Sequence, residues 1–316
     1  MSGLPPNSQT PQLNTLIENT LDLEEIDTNL YRSKNLWIPV GARGVFGGQV
    51  VAQALAAAMK TVSKEYHVHS LHSYFLLAAT NAIPILYEVE RVRDGKSYVT
   101  RTVFAKQKGR CIFTCTCSFQ RPESSLLNHQ YEMPIAPDPE TLPSNDERYS
   151  AWLRRTDVPD GYKRYISEVL EEPIPVDIRR TQGLNPEDIL YPEKTDPYQL
   201  IWMKAKGKLG EDLAFHQCVA AYCSDHHFVQ TTLLCHGVNE FSDPRLEMLV
   251  SLDHTIWFHA PFRADEWLLY EMECPQTGGG RGLVFGRVYT ADGKLVMSIA
   301  QEGLIRAGAN PKKSKI

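Results

Sequence analysis

Asp225, Ser251 and Gln301, in the second half of the 316-residue chain, are residue types that can together activate a water molecule. A carboxylate can accept a proton from water, while a hydroxyl and an amide can fix the orientation of that water. An activated acyl group such as a thioester needs only a well-placed water and modest general-base assistance. The three residues therefore predict hydrolysis without a covalent intermediate.

Gln301 lies in the strand-like segment 295–303, where the alternate residues Met297 and Ile299 are apolar. With the two-residue period of a strand, its amide points the way these neighbours point. A buried amide must find hydrogen-bond partners, or the protein loses stability. The matching position in the first half is Cys117, so the polar group marks only the second half. A satisfied core glutamine is the alternative explanation.

Asp225 follows a helical segment predicted near 214–224 and lies at the edge of its apolar stripe. The helix dipole disfavours a carboxylate at a helix C-terminus, so helix formation does not explain this residue. Ser251 opens the strand-like stretch that leads into Asp253-His254. A structural role explains either residue alone, but together with the buried amide they favour a catalytic role.

Gly47 and Gly48 begin an alanine-rich helical segment predicted over 49–61. Glycine lets the backbone come close to another group, and the alanines let the helix lie tightly against a flat surface. Backbone N–H groups at a helix N-terminus point toward bound anions. We therefore expect Gly47 and Gly48 to bind the substrate by donating to its carbonyl oxygen.

Each half of the chain has the same order of elements, a helix followed by strands. In the first half, strand-like segments follow the helix at 67–77, 84–92, 97–105 and 111–120. In the second half, the corresponding segments are 248–258, 266–273, 283–289 and 295–304. The repeated order predicts a duplication, and chance similarity of two hairpins is the alternative. The predicted fold class is α+β, with an antiparallel sheet wrapped on each helix.

The stretch from about 121 to 173 is rich in proline, serine and acidic residues, which indicates a linker with one helix near 162–171. The chain therefore divides into two units, a linker and a tail. The predicted ranges are a first unit over 1–125, a linker over 126–165, a second unit carrying the catalytic residues over 166–308, and a basic tail over 309–316.

The composition is ordinary for a globular enzyme, with 42% hydrophobic residues, 22% charged residues and a formal net charge of -5. The negative charge gives no reason to expect a nucleic-acid partner. No apolar run approaches the ~20 residues that cross a bilayer, so stable membrane insertion is not expected. Seven cysteines, an odd number without an evident pairing pattern, favour a reducing compartment.

The chain ends in Ser314-Lys315-Ile316, which is close to the Ser-Lys-Leu address of peroxisomal proteins. A peroxisomal import receptor is therefore an expected partner, and the peroxisome is the expected location. A frayed basic tail on a cytoplasmic protein is the alternative.

Other histidines and glycine-rich stretches predict no further chemistry. His67 and His69 share a strand face, but His72 falls on the other, and no acid or cysteine completes a metal-binding spacing. The glycine run at 278–282 lacks the ending of a phosphate-binding P-loop, and there is no Gly-x-Ser-x-Gly motif of a serine hydrolase. We expect no metal and no cofactor.

The chain resembles the acyl-CoA thioesterase II family, the double-hotdog thioesterases that include bacterial and peroxisomal enzymes. The matching stretches are Val45-Phe46-Gly47-Gly48-Gln49-Val50-Val51, His69-Ser70-Leu71-His72-Ser73-Tyr74-Phe75-Leu76, Arg93-Asp94-Gly95-Lys96-Ser97, Ser118-Phe119-Gln120, Ser224-Asp225, Asp253-His254-Thr255-Ile256-Trp257-Phe258-His259, Glu266-Trp267-Leu268-Leu269-Tyr270 and Gln301-Glu302-Gly303. So many matches in one order, spanning nearly the whole chain, are highly specific.

The resemblance implies two hotdog units joined in one continuous sheet, and hydrolysis of acyl-CoA to free fatty acid and CoA without a cofactor. It places the family's catalytic aspartate on Asp225, its glutamine on Gln301 and its serine or threonine on Ser251. Arg281, next to the glycine run, is a candidate contact for a CoA phosphate. Acyl-CoA is the expected substrate, and a homo-oligomer is the expected assembly.

Two other functions stay open. A non-catalytic acyl-CoA binding module would have the same fold but would release no thiol. A hotdog enoyl-CoA hydratase or dehydratase would need a histidine and an acid on the active helix, and His226 and His227 follow Asp225.

Overall fold

The computed structural model describes residues 14–182 and 185–308. In the first half the strands pack on one helix, α2 (Gly47–Met59), of which ten of thirteen residues are buried. The remaining elements are α1 (Asn14–Leu21), β1 (Leu23–Asp27), β2 (Leu30–Ser33), β3 (His67–Phe75), β4 (Leu86–Asp94), β5 (Tyr98–Gln107) and β6 (Arg110–Gln120). The alanines of α2 have small side chains, so the strands approach the helix closely.

The second half repeats this arrangement around α6 (Leu213–Cys223), which has eight buried residues. Before α6 come α3 (Asn145–Leu153), α4 (Asp160–Glu171), β7 (Val176–Arg180), α5 (Pro186–Leu190) and β8 (Tyr198–Ala205). After it come β9 (Arg245–Ser251), β10 (Asp253–Phe258), β11 (Leu268–Gly278), β12 (Arg281–Thr290) and β13 (Leu295–Gly308). Short 3-10 helices cover Pro139–Thr141 and Val229–His236.

The described strands form one antiparallel sheet with the order β1-β2-β4-β5-β6-β3-β10-β13-β12-β11-β8-β7, and β9 pairs with β13. The two halves meet where β3 pairs with β10, with Leu71 opposite Ile256. Both residues are fully buried, so this junction belongs to the core. The continuous sheet over two central helices confirms the predicted α+β fold class.

Helices α2 and α6 lie side by side, with the N-terminus of α2 against the C-terminus of α6. A Cβ atom on Gly48 would lie 2.5 Å from the carbonyl oxygen of Tyr222, so only glycine fits at this contact. Toward the other end of α2, Met59 Sδ lies 3.5 Å from Cys218 Sγ. The close packing brings the start of the first helix to the end of the second.

Several elements differ from the sequence-based expectation. The strand predicted over 248–258 is two strands, because β9 pairs with the end of β13 while β10 pairs with both β3 and β13. Strands β1, β2, β7 and β8 were not predicted. Their sequences mix charged and apolar residues. Strands β2 and β8 pair with β4 and β11, which are distant in the chain, and β1 and β7 extend the sheet beyond them.

The segment 121–173 contains two helices, α3 and α4, where one was predicted. Helix α3 begins with a capping box between Ser144 and Glu147, which satisfies two backbone N–H groups. We call residues 144–171 the helical arm; it has a small apolar core of its own. The boundary predicted at 165/166 falls inside α4, so the division into units stays a prediction. The predicted tail, 309–316, lies outside the described residues.

We expect Gly48→Ala to destabilise the protein, because the added methyl group would collide with the Tyr222 carbonyl oxygen between the two helices. The expected loss is about 1–3 kcal/mol in the free energy of unfolding, as at other overpacked sites. Gly161→Ala in α4 is the matched control, since no atom lies within 4 Å of its Cβ position. Urea denaturation should give a lower midpoint for the first variant only. Equal midpoints would contradict the helix contact.

Candidate active site

The side chains of Asp225, Ser251 and Gln301 meet at one point, although they come from separate elements. Gln301 Nε2 donates to Asp225 Oδ1 at 3.1 Å and to Ser251 Oγ at 2.5 Å. Gln301 is fully buried, whereas the other two are half-buried. An amide nitrogen carries two hydrogens, and both are engaged here. Gln301 therefore fixes a carboxylate and a hydroxyl next to each other.

Backbone pairing near each residue holds its side chain in place. Asp225 lies directly after the C-terminal cap of α6. Ser251 ends β9 and is opposite Gly303 on β13, two residues beyond Gln301. The backbone of Leu252 bonds to β13 through its N–H and to β3 through its carbonyl, which fixes the bend after Ser251.

His254 sets the orientation of the Gln301 amide. His254 Nδ1 lies 2.7 Å from Gln301 Oε1, and His254 Nε2 lies 2.8 Å from Ser224 Oγ. Because a carbonyl oxygen only accepts, Nδ1 carries the proton. Burial lowers the pKa of His254 despite the opposing charge of Asp225, so the ring is neutral. Its Nε2 faces the Ser224 hydroxyl, whose oxygen also lies 2.8 Å from the carbonyl oxygen of Ala221, so two acceptors share the single hydroxyl hydrogen.

These hydrogen bonds form a directed chain. His254 donates to Gln301, whose amide nitrogen donates to Asp225 and Ser251. Turning the amide round would set its carbonyl oxygen against the carboxylate of Asp225. Only one amide orientation therefore satisfies all the partners.

Sequence analysis did not assign His254 or Ser224 to the site. A signal for His254 was present, because it alternates with Ile256 and Phe258 on the buried face of β10. The same two-residue period that singled out Gln301 thus predicts a buried histidine. Ser224 has no comparable signal, since its role depends on the packing of α6 against β10.

The N-terminus of α2 reaches this group from the first half of the chain. A Cβ atom on Gly47 would lie 2.7 Å from Asp225 Oδ2, so a larger residue would displace the carboxylate. Phe46, which precedes the helix, makes no side-chain capping bond. The first N–H groups of a helix have no partner within it. Gly47 and Gly48 therefore present uncapped backbone donors beside the carboxylate.

Three rings pack together next to these glycines. The Phe46 ring centroid lies 5.1 Å from that of Tyr222 and 4.5 Å from that of His226. Tyr222 Oη and His226 Nε2 are buried without a hydrogen-bond partner among the residues that the structure describes. Burial lowers the pKa of His226 to about 4, so its ring is neutral at pH 7.

Neither histidine after Asp225 forms the histidine–acid pair that a hydratase would need. His226 Nε2 has no partner within the described ranges, and His227 Nδ1 lies 2.9 Å from Arg180 Nη2. The same Nδ1 also lies 2.9 Å from Gln230 Oε1, and one ring nitrogen cannot both accept from a guanidinium and donate to a carbonyl oxygen. The two rings are thus turned to other groups.

Arg281 does not lie with the other candidate residues. It is on the outer face of the sheet, where its Nε donates to Glu302 Oε1 at 2.9 Å and its side chain is 51% exposed. Gln301 faces inward, because adjacent residues of a strand point to opposite faces. The role of Arg281 as a CoA contact stays a prediction.

The histidines considered as metal ligands make other contacts. His69 Nε2 bonds to Ser118 Oγ at 2.8 Å, and the His72 ring packs on Trp257 with a centroid separation of 5.4 Å. Over residues 14–182 and 185–308, no group of three potential ligands is placed to hold a metal ion. Over the same ranges, no helix is long and apolar enough to cross a membrane.

Two central helices that share one wrapped antiparallel sheet define a protein of the double-hotdog class. Two family models match the chain: "Acyl-CoA thioesterase N-terminal domain" over residues 35–120 and "Acyl-CoA thioesterase" over 189–304. Acyl-coenzyme A thioesterase 8 of Rattus norvegicus is 43% identical over 302 residues, which are 95% of this chain and 92% of the relative. The chain therefore belongs to the acyl-CoA thioesterase family and is a thioester-hydrolysing enzyme.

Two further comparisons agree with this family. The crystal structure of acyl-CoA thioesterase II TesB2 from Mycobacterium marinum has a TM-score of 0.72 at 36% identity, covering 92% of this chain and 98% of that chain. Peroxisomal acyl-coenzyme A thioester hydrolase 1 of Saccharomyces cerevisiae is 28% identical, over 93% of this chain and 95% of the relative. The double-hotdog fold that the resemblance implied is thus confirmed.

We expect the buried His226 to make stability depend on pH. In the unfolded chain this histidine takes up a proton below about pH 6.5, whereas burial holds its pKa at about 4 in the folded protein. Stability therefore falls as the pH drops below 6.5, by about 2 kcal/mol at pH 5 through this residue, and the loss levels off below about pH 4. Urea midpoints at pH 6.5 and pH 5 should differ less for His226→Phe than for the wild type. An equal difference would contradict a neutral buried ring.

Proposed function

We propose that the protein hydrolyses fatty acyl-CoA to free fatty acid and CoA through a water molecule held at Asp225, Ser251 and Gln301. The pair of hydrogen bonds from Gln301 Nε2 to Asp225 Oδ1 and Ser251 Oγ carries this proposal. These bonds hold a general base and a hydroxyl side by side, where the C-terminus of α6 meets the N-terminus of α2.

Asp225 acts as the general base. Its Oδ1 accepts from Gln301, which leaves Oδ2, the oxygen next to Gly47, to accept a proton from water. Ser251 Oγ accepts from the amide, so its own hydrogen is free to orient the water. Both amide hydrogens of Gln301 are engaged, so Gln301 acts by fixing the other two groups.

The backbone N–H groups of Gly47 and Gly48 bind the carbonyl oxygen of the thioester. Attack of water places negative charge on this oxygen, and collapse of the tetrahedral intermediate breaks the carbon–sulfur bond and releases the CoA thiolate. The uncapped N-terminus of α2 offers both N–H donors and the positive end of the helix dipole. The first half thus supplies the donors and the second half supplies the base.

We expect Asp225→Asn to lower kcat for palmitoyl-CoA by roughly two orders of magnitude, because it removes the general base. KM should change little, since the amide keeps the size of the carboxylate. Free thiol released from palmitoyl-CoA is the measurement. Asp22→Asn is the matched control, because Asp22 is exposed and pairs only with Lys34 on the surface.

Full activity of Asp225→Asn would show that another group is the base. Binding of palmitoyl-CoA without thiol release by the wild type would favour the non-catalytic binding module.

We expect His254 to support kcat through the bond from its Nδ1 to Gln301 Oε1. His254→Leu removes the donor that fixes the Gln301 amide and should lower kcat at least about tenfold, because small displacements of catalytic groups slow the reaction strongly. His254→Gln keeps an N–H donor and should recover part of the loss. The kcat, KM and melting temperature of both variants test this. Equal kcat at equal melting temperature would show that donation by His254 is not needed.

We further propose a peroxisomal location, read by the import receptor at Ser314-Lys315-Ile316, and a homo-oligomeric assembly. The yeast relative named as peroxisomal supports the location. Deleting 314–316 from a fluorescent fusion should move it from puncta to the cytosol without loss of activity. Unchanged puncta would contradict the address.

A further inference from the structure

Two arginines beside the helical arm have no carboxylate partner in the described part of the chain. Arg148, on α3, is 8% exposed, and its guanidinium makes no hydrogen bond or ion pair with a described residue. Arg180, at the end of β7, donates Nη1 to Gln199 Oε1 at 3.3 Å and Nη2 to His227 Nδ1 at 2.9 Å. Both acceptors are neutral, so the two positive charges are uncompensated.

The charges of Arg148 and Arg180 both affect the same neighbouring side chain, that of His227. Burial, followed by the charges of Arg180 and Arg148, holds the pKa of His227 well below its usual value. The ring is therefore neutral and does not add a third positive charge. Asp146, on the same helix as Arg148, is engaged with Lys206 at 3.0 Å. The pair therefore forms a positive, largely buried cluster.

This cluster lies beside the turn that carries the proposed base. His227, which Arg180 contacts, follows Asp225 by two residues. Glu172, the residue directly after the helical arm, contacts the loop before α2, because its Oε2 accepts from Trp37 Nε1 at 3.0 Å. The end of the arm thus lies close to the segment that leads into α2.

We propose that Arg148 and Arg180 bind a phosphate group of the CoA part of the substrate, an assignment that rests on the proposed hydrolysis at Asp225. A planar guanidinium presents a fork of donors that matches two phosphate oxygens. CoA carries its phosphates at the far end of the pantetheine arm. The phosphate site must therefore lie at some distance from Asp225 but on the same side of the protein. The contact of Arg180 with His227, two residues after Asp225, places the arginine pair in this way.

Arg281 fits this role less well. Its charge is already neutralised by Glu302 on the outer face of the sheet. Arg148 and Arg180 lack a counter-charge, and a bound phosphate would supply one. The gain on binding is therefore larger at the arginine pair.

The test compares palmitoyl-CoA with palmitoyl-pantetheine, which has the same thioester but lacks the diphosphate, the adenosine and the ribose phosphate of CoA. Arg148→Gln and Arg180→Gln should each raise KM for palmitoyl-CoA about tenfold or more, because a charge-assisted hydrogen bond is lost. The kcat should stay within about twofold, since the reacting groups are untouched. KM for palmitoyl-pantetheine should not change. Arg154→Gln, an exposed position of the same arm, is the matched control and should leave both substrates unaffected.

Calorimetric binding of CoA separates this proposal from the proposed hydrolysis, because CoA has no thioester to cleave. Wild-type protein should bind CoA more tightly than either variant, by the factor seen in KM. Inorganic phosphate should compete with CoA in the wild type only weakly, since it lacks the pantetheine arm. If the wild type bound CoA through these arginines but released no thiol, the hydrolysis proposal alone would fail.

The melting temperature of the ligand-free protein distinguishes a structural role of the arginines from a role in binding, because only a structural role would lower it strongly on substitution. Arg148→Gln should leave it unchanged or raise it, because the charge that is removed has no partner. Arg180→Gln should lower it only modestly, because it also removes the contacts with Gln199 and His227. Saturating CoA should raise it less in the variants than in the wild type. Three results would each overturn the proposal: a large fall in the melting temperature of the unliganded variants, an unchanged affinity of the variants for CoA, or equal increases in KM for both thioesters.

Discussion

The buried amide of Gln301 is the interaction on which the proposed active site depends. Its nitrogen donates to Asp225 and Ser251 and its oxygen accepts from His254, so each polar atom of the side chain is engaged. In a site removed from water, losing one of these bonds leaves its partner buried and unsatisfied. The network thus holds a carboxylate just beyond the C-terminus of α6, where the dipole of that helix opposes an anion. The N-terminus of α2, which has the opposite polarity, meets the same carboxylate.

The two copies of the duplicated unit have diverged into complementary parts. The first copy contributes backbone, because Gly47 leaves room for Asp225 Oδ2 and presents uncapped N–H donors. The second copy contributes side chains, and where it carries Gln301 the first copy carries the buried Cys117. The proposed active site therefore needs both copies. Pairing of β3 with β10 in one sheet holds them together.

Features that depend on residues close together in the sequence could be predicted, whereas features that depend on contacts between distant parts of the chain could not. A two-residue period is local, so it predicted that Gln301 points into the core, and the order of helix and strands predicted the α+β class. The bond from His254 to Gln301 and the outward position of Arg281 depend on pairing between strands, which no local pattern contains. Helix α3 was missed because prolines and acidic residues around it indicated a linker, although the capping box of Ser144 and Glu147 is local.

Direct attack by a water molecule at Asp225 is the central claim. A single turnover of palmitoyl-CoA by excess enzyme in oxygen-18 water, followed by mass spectrometry of the product and of the peptide containing Asp225, tests it most directly. Direct attack predicts that the fatty acid of the first turnover carries the label and that Asp225 does not. Unlabelled fatty acid together with labelled Asp225 would show that the carboxylate itself attacks the carbonyl carbon, and it would contradict the proposed mechanism.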